Sequence, residues 1–365
     1  MTKDPFVSAL NKALGGSVKV TLAEDYDPHW EDKISTGLTS LDMHIGGGYS
    51  RGTVAQVHGP PGSGKDLLIN LAMAQCQLKF GKDTKIAWLS FGYPPDIPYM
   101  QMCGVRVGEG TKLGKLYFID LARTRDAESA PSEMLFTAAI KAVEDGGFQL
   151  VVINELGSGE TKDNVVKELY ETVKVGTWSK LVSDFGKRFY TVIRMPLEDN
   201  TRNRTLVLVA NPVRANVVTG YGSKNAPLTT DTSGWALRHL KCLDIHLRSG
   251  RSVVKGKVKE GKFINWKVKK AKHGVSEGAE GQIYFKFNEG VDIVDDLVNT
   301  AIAMSIIRRR GNKYDVPDAK GSAIEVAGGK DGVISFFKER TTSESLMPYI
   351  KAQILKSIRN HGQET

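Results

Sequence analysis

The chain has 365 residues, 41% of them hydrophobic, which suits one large domain with appendages or two domains, with a sizeable core. Fifty Lys and Arg against 41 Asp and Glu give a formal charge of +9, which fits a polyanionic partner, nucleic acid before an acidic membrane surface, as well as it fits a solvated basic surface. No stretch approaches the roughly 20 apolar residues that span a bilayer, and Cys76, Cys103 and Cys242 lack the spacing of a zinc site or disulfide framework, so the sequence reads as a soluble, cytoplasmic protein.

Residues 4–14 read as a short amphipathic helix, with Phe6, Val7, Leu10 and Leu14 on one face and Gly15 and Gly16 ending it. Val18, Val20 and Leu22 then alternate with Lys19 and Thr21, the period of a short strand whose partner edge could lie in another subunit. From about residue 33 strands and helices alternate. Strands are expected at 53–58, 84–90, 115–119, 150–153 and 205–210, and helices at about 65–80, 132–145 and 163–187. Apolar runs such as Leu150-Val151-Val152-Ile153 suit strands buried on both faces, and the alternation predicts a mainly parallel sheet with helices on both sides.

Between the first of these strands and its helix stands Gly59-Pro60-Pro61-Gly62-Ser63-Gly64-Lys65, a G-x-x-x-x-G-K phosphate loop in its confirming strand–loop–helix context. Glycines let backbone N–H groups turn inward around a phosphate, the helix N-terminus adds a favourable dipole, and Lys65 supplies charge to the β- and γ-phosphates. Residues 59–67, ending in Asp66 and Leu67, are the expected ATP cradle. Asp66 departs from the pattern, since that position ordinarily holds the Ser or Thr that ligates Mg²⁺; a carboxylate can do so too, but brings negative charge near the phosphates.

Two long polar stretches, 156–175 with Gly157 and Gly159, and 212–234 with Arg214 and Lys224, read as functional loops. A smaller α-rich region follows about residue 290, with helices at 293–307 and near 345–358.

Ile34-Ser35-Thr36-Gly37-Leu38-Thr39-Ser40-Leu41-Asp42 followed by the phosphate loop resembles the opening of the RecA core. The likeness continues through Gly290-Val291, Asp296-Leu297-Val298 and Gly332-Val333-Ile334-Ser335-Phe336-Phe337, over roughly residues 5–360, and phage-encoded relatives of that family diverge in similar ways. It implies an α/β fold with a RecA-like P-loop NTPase core: a polymerisation segment at 1–32, an ATP-binding core at 33–288 with DNA-binding loops at about 157–176 and 212–233, and a small α-rich C-terminal domain at 289–365. It implies Asp96 and Tyr99 as adenine contacts. Lys270 and Lys272 match a pair that reaches a neighbouring subunit's γ-phosphate, and lysines two apart on a strand point the same way. Gly176, Lys180, Ser183 and Lys187 match DNA-backbone contacts, with Lys replacing Arg at two positions, which keeps the charge and loses the bidentate fork. Gly234 matches a glycine ending the second loop; Arg214 and Lys224 would bind DNA within it.

The catalytic pattern is altered. The family's Walker B aspartate aligns with Asn154, followed by Glu155; its catalytic glutamate aligns with Gly92; its γ-phosphate-sensing glutamine aligns with Asn211. In one reading the site is rewired, with Asp66 and Asn154 around Mg²⁺ and Glu155 activating water. In the other the site binds nucleotide and hydrolyses it weakly or not at all, and weak hydrolysis is the expectation here. The resemblance implies a recombinase that binds ATP and Mg²⁺, forms a homo-oligomeric helical filament on single-stranded DNA and pairs it with double-stranded DNA. The alternatives are a catalytically impaired filament or regulatory DNA-binding relative without strand exchange, and a P-loop motor or kinase outside recombination.

Overall fold

The computed structural model describes residues 4–15, 20, 22–23, 32–108, 114–120, 131–145, 147–159, 161, 177–195, 203–215, 229–231, 234–272 and 276–361. A ten-stranded sheet organises the chain. Its strands run in the order Gly290–Val291, Glu280–Lys286, Val258–Ala271, Leu243–Lys255, Val54–Gly59, Leu206–Ala215, Leu150–Asn154, Lys85–Ser90 and Lys115–Asp120. The tenth, Thr229–Asp231, pairs antiparallel with the outer end of Leu206–Ala215. From Leu243–Lys255 to Lys115–Asp120 each neighbouring pair is parallel, and the remaining edge is antiparallel.

Strand periodicity divides the core. Ala55, Val57, Ile86, Trp88, Val152 and Leu208 face one side and pack with the helix Lys65–Phe80. Val54, Ala87, Leu89, Val151, Ile153 and Val207 face the other, beneath the helices Pro131–Asp145, Thr177–Arg194 and Gly234–Leu240. Leu150 to Ile153 are fully buried, as a strand covered on both faces must be.

The helix expected at 163–187 begins, among the described residues, at Thr177 and extends to Arg194. Phe185, Phe189, Val192 and Ile193 are buried, so its apolar stripe continues past residue 187. The helix expected at 293–307 stops at Ala303, where the chain turns through Ser305 at φ 57°. The C-terminal part has its own core, with Leu297, Tyr314, Val316, Phe337 and Ile350. Besides the helices Ile293–Ala303, Gly329–Lys338 and Arg340–His361 it carries a three-stranded antiparallel sheet, Arg308–Arg310, Lys313–Pro317 and Ala323–Val326. It is joined to the first part where the Asp296 carboxylate accepts from the backbone N–H groups of Thr39 (2.5 Å) and Ser40 (3.2 Å).

At the N-terminus Asp4 caps the helix Pro5–Ala13, accepting from the N–H of Phe6 at 2.9 Å and of Val7 at 3.0 Å. None of that helix's residues is buried, and Phe6 is 70% exposed. The strand expected at 18–22 lies largely outside the described residues, but Val20 is bracketed by Asn11, whose side chain accepts its N–H and donates to its carbonyl.

Candidate functional site

The strands Val54–Gly59, Lys85–Ser90 and Leu150–Asn154 point their carboxyl ends to the same side, and the loops leaving them line a cleft of about 510 Å³. In open α/β sheets ligands bind at that end. Pro61, Gly62, Gly64, Lys65, Asp66 and Leu67 form one wall, Asp96 and Tyr99 another, and Asn154 and Glu155 the floor.

The phosphate loop has its shape because of its glycines. Gly64 sits at φ 96° as the N-cap of the helix Lys65–Phe80, and a Cβ there would meet Ile264 Cδ1 at 2.7 Å. Gly59 is closed in by the Leu247 carbonyl, 2.4 Å from where its Cβ would stand. Pro60 joins the turn through its carbonyl, which accepts from Ser63 N at 3.2 Å.

Lys65 is buried, and its Nζ donates to the carbonyls of Gly59 and Pro60, each at 3.2 Å. Glu155 Oε1 lies 3.0 Å from the same Nζ, and Ser158 donates to Glu155 Oε2 at 3.4 Å. Asp66 is hydrogen-bonded by the Asn154 amide. Burial, and then the nearby Glu155 carboxylate, push the Asp66 carboxyl above its ordinary range, against the pull of Lys65 and Asn154. Asn154 Oδ1 is buried with no hydrogen-bond partner. The Asp66 carboxylate and the orphaned Asn154 amide oxygen are oxygen donors that fit a hard divalent cation such as Mg²⁺. Among the described residues no three His, Cys, Asp or Glu side chains cluster to hold a metal by themselves, so phosphate and water oxygens would complete the shell.

Asp96 caps the short helix Ile97–Met102 through Tyr99 N at 3.1 Å. The Tyr99 ring is half-buried and meets Phe285 edge-on, 6.2 Å between centroids. Gly92 follows the strand Lys85–Ser90, and a side chain there would point at Ser158, 3.4 Å from the Cβ position. Asn211 is buried in the strand Leu206–Ala215, beside His58 of the phosphate-loop strand and outside the cleft lining.

Other expected residues lie elsewhere. Lys270 and Lys272 do point the same way, but toward the C-terminal end of the helix Gly234–Leu240, donating to Arg238 O at 2.6 Å and His239 O at 3.3 Å. Nearby, Asp244 bonds His58 and Lys241, each at 2.7 Å. Burial would raise the Asp244 carboxyl, but those two partners hold it below its usual range. His246 stacks on His58 at 4.7 Å, and burial, then His58, push its imidazole down to about 4. Lys180 and Lys187 are exposed and Ser183 half-exposed on the outer side of Thr177–Arg194, with Lys187 loosely paired to Asp184 at 3.7 Å. Gly234 opens the helix Gly234–Leu240, and Arg214 lies in the strand Leu206–Ala215. Gly176, Lys224 and most of both loops fall outside the described residues.

The cleft also contains residues that sequence patterns did not single out: Asn70, Trp88, Tyr93, Lys262, Ile264 and Phe285. Lys262 and Phe285 are cross-strand neighbours on the antiparallel edge. Their only sequence signal is ordinary strand alternation.

Comparison with known proteins adds a family. A profile described as RecA N-terminal domain matches residues 4–292. Relatives include a Protein RecA of Francisella philomiragia, 24% identical over 360 residues, covering 98% of this chain and 90% of that protein. A Protein RecA of Francisella tularensis subsp. novicida is 25% identical over 337 residues, covering 92% of this chain and 84% of that protein.

Proposed function

The chain belongs to the RecA family, and from that premise we propose that it is a recombinase that binds ATP with Mg²⁺, assembles as a helical filament on single-stranded DNA and pairs that strand with homologous double-stranded DNA. The observation that carries this reading is the convergence of Lys65, Asp66, Asn154 and Glu155 at one cleft that Tyr99 also lines.

The backbone amides of the phosphate loop and Lys65 bind the β- and γ-phosphates, and Tyr99 packs on the base beside Asp96. Asp66 and Asn154 hold the metal, which when bound supplies charge neutralisation at the phosphates. Glu155 positions the attacking water and takes its proton on a carboxylate oxygen, in place of the side chain that Gly92 lacks. In the structure Lys65 engages Glu155, which favours slow turnover.

Lys180, Ser183 and Lys187 offer phosphate contacts on one exposed helix face, and the segments after Asn154 and Ala215 carry the two DNA loops from adjacent parallel strands. Lys270 and Lys272 exchange helix carbonyls for the γ-phosphate of a neighbouring subunit. The unburied N-terminal helix, with Phe6 outward, supports residues 1–32 as the polymerisation segment, ahead of a core at 33–288 and a C-terminal domain at 289–365.

A second reading, a stable filament or regulatory DNA-binding protein without strand exchange, is favoured by Gly92 and the short Asn211. Electron microscopy of the chain with ATP and single-stranded DNA tests the filament; monomers alone would contradict it. Joint-molecule formation then separates the readings, since filaments that never yield joint molecules support the second.

A further inference from the structure

Lys262 stands on the strand Val258–Ala271, two hundred positions from the phosphate loop in sequence, yet its Nζ donates to the Gly62 carbonyl. The strand is seated firmly there, because Ile264 fills the space that a Cβ on Gly64 would need. Phe285, directly across from Lys262, meets the Tyr99 ring, so lysine, phenylalanine and tyrosine form a continuous wall of the cleft.

Charge makes this lysine more than a tether. The ionisable carboxylates and cations lining the cleft are Asp66, Asp96 and Glu155 against Lys65 and Lys262. Lys65 is already paired with Glu155 at 3.0 Å, and Asp66 places a carboxylate where a neutral hydroxyl is the usual pattern. A polyphosphate entering this cleft therefore meets a loop lysine flanked by the Glu155 and Asp66 carboxylates, and Lys262 is the lining cation that no carboxylate engages at ion-pair distance among the described residues. We propose that Lys262 is a second phosphate-binding cation, which releases the Gly62 carbonyl and takes hold of the polyphosphate chain of the bound nucleotide. This rests on the reading of the cleft as a nucleotide site.

The test is equilibrium binding of a fluorescent ATP to the full chain, with ADP and adenosine as competitors. A charge-assisted hydrogen bond to phosphate corresponds to about tenfold or more in affinity. Lys262→Ala and Lys262→Gln should each lose about that factor for ATP and leave adenosine competition unchanged, while Lys262→Arg should keep most of the affinity. Glutamine keeps a donor for the Gly62 carbonyl but no charge, so a wild-type ATP affinity in Lys262→Gln overturns the proposal. Equal weakening of ATP and adenosine overturns it as well, because that marks a purely structural tether. If the wild-type chain binds neither ATP nor ADP, the nucleotide reading of the cleft falls and Lys262 falls with it; if the wild type binds ATP and Lys262→Gln binds it equally well, this proposal fails alone.

Discussion

Glu155 and Asp66 distinguish this site from the pattern its phosphate loop announces. Because Glu155 engages Lys65, replacing it should act on binding and turnover in opposite directions. Glu155→Gln is expected to tighten ATP binding by freeing Lys65 and to lower ATP turnover by about 10²–10⁴-fold, the usual cost of losing a general base; a binding titration beside a steady-state ATPase assay with single-stranded DNA reads both. Turnover unchanged by the substitution would remove Glu155 as the base. Asp66 has a pH signature. Its carboxyl titrates above the ordinary range, chiefly from burial and then from Glu155, so the folded chain holds a proton there that the unfolded chain has lost. Its contribution to stability therefore falls as pH rises from the ordinary carboxylate range through the raised value. Metal binding needs the ionised form, so the Mg²⁺ dependence of ATP affinity should weaken as pH falls through that window, and Asp66→Asn should abolish this pH effect. The loop and Asp66, Asn154 and Glu155 were legible because each stands in or directly after a short contiguous motif. Lys262 was not, because only an antiparallel strand crossing brings it over Gly62.

At the scale of elements, the helix Thr177–Arg194 has two separable faces. Phe185 and Phe189 face inward, and Phe185 stacks on Phe136 at 4.3 Å between centroids. Phe189→Ala should cost about 3–5 kcal/mol of stability in denaturant unfolding, as large-to-small core changes do. Lys180 and Lys187 face outward, and replacing both with Ala should leave stability within about 0.5 kcal/mol. The same pair should flatten the salt dependence of single-stranded DNA binding, by about 0.7 in log–log slope for each phosphate that the helix no longer neutralises. An unaltered slope would take this face out of the DNA interface. A helix here was expected from the sequence, but its end was not, because Arg188, Tyr190 and Arg194 interrupt a pattern that Val192 and Ile193 continue. The antiparallel edge escaped for a related reason. Val258–Ala271 buries alternate residues Ile264, Trp266 and Val268 only from its middle onward, while its opening residues include the charged Lys259, Glu260 and Lys262 and break the apolar alternation.

For the whole molecule, buried runs such as Leu150–Ile153 made the parallel sheet and its two helical layers predictable. The C-terminal sheet was hidden because Arg308–Arg310 is exposed and carries no apolar alternation. The sheet order brings the phosphate loop, Asn154 and the segments that follow Asn154 and Ala215 to one end of adjacent strands, and in the proposed function that neighbourhood would couple nucleotide to DNA. The most direct measurement of that coupling is fluorescence anisotropy of labelled single-stranded DNA titrated with the chain, with and without ATP and Mg²⁺, for the wild type and Lys65→Ala. Tight, cooperative, salt-sensitive binding is expected, which ATP strengthens in the wild type and leaves unchanged in Lys65→Ala. DNA binding of equal strength with and without ATP in the wild type would contradict it.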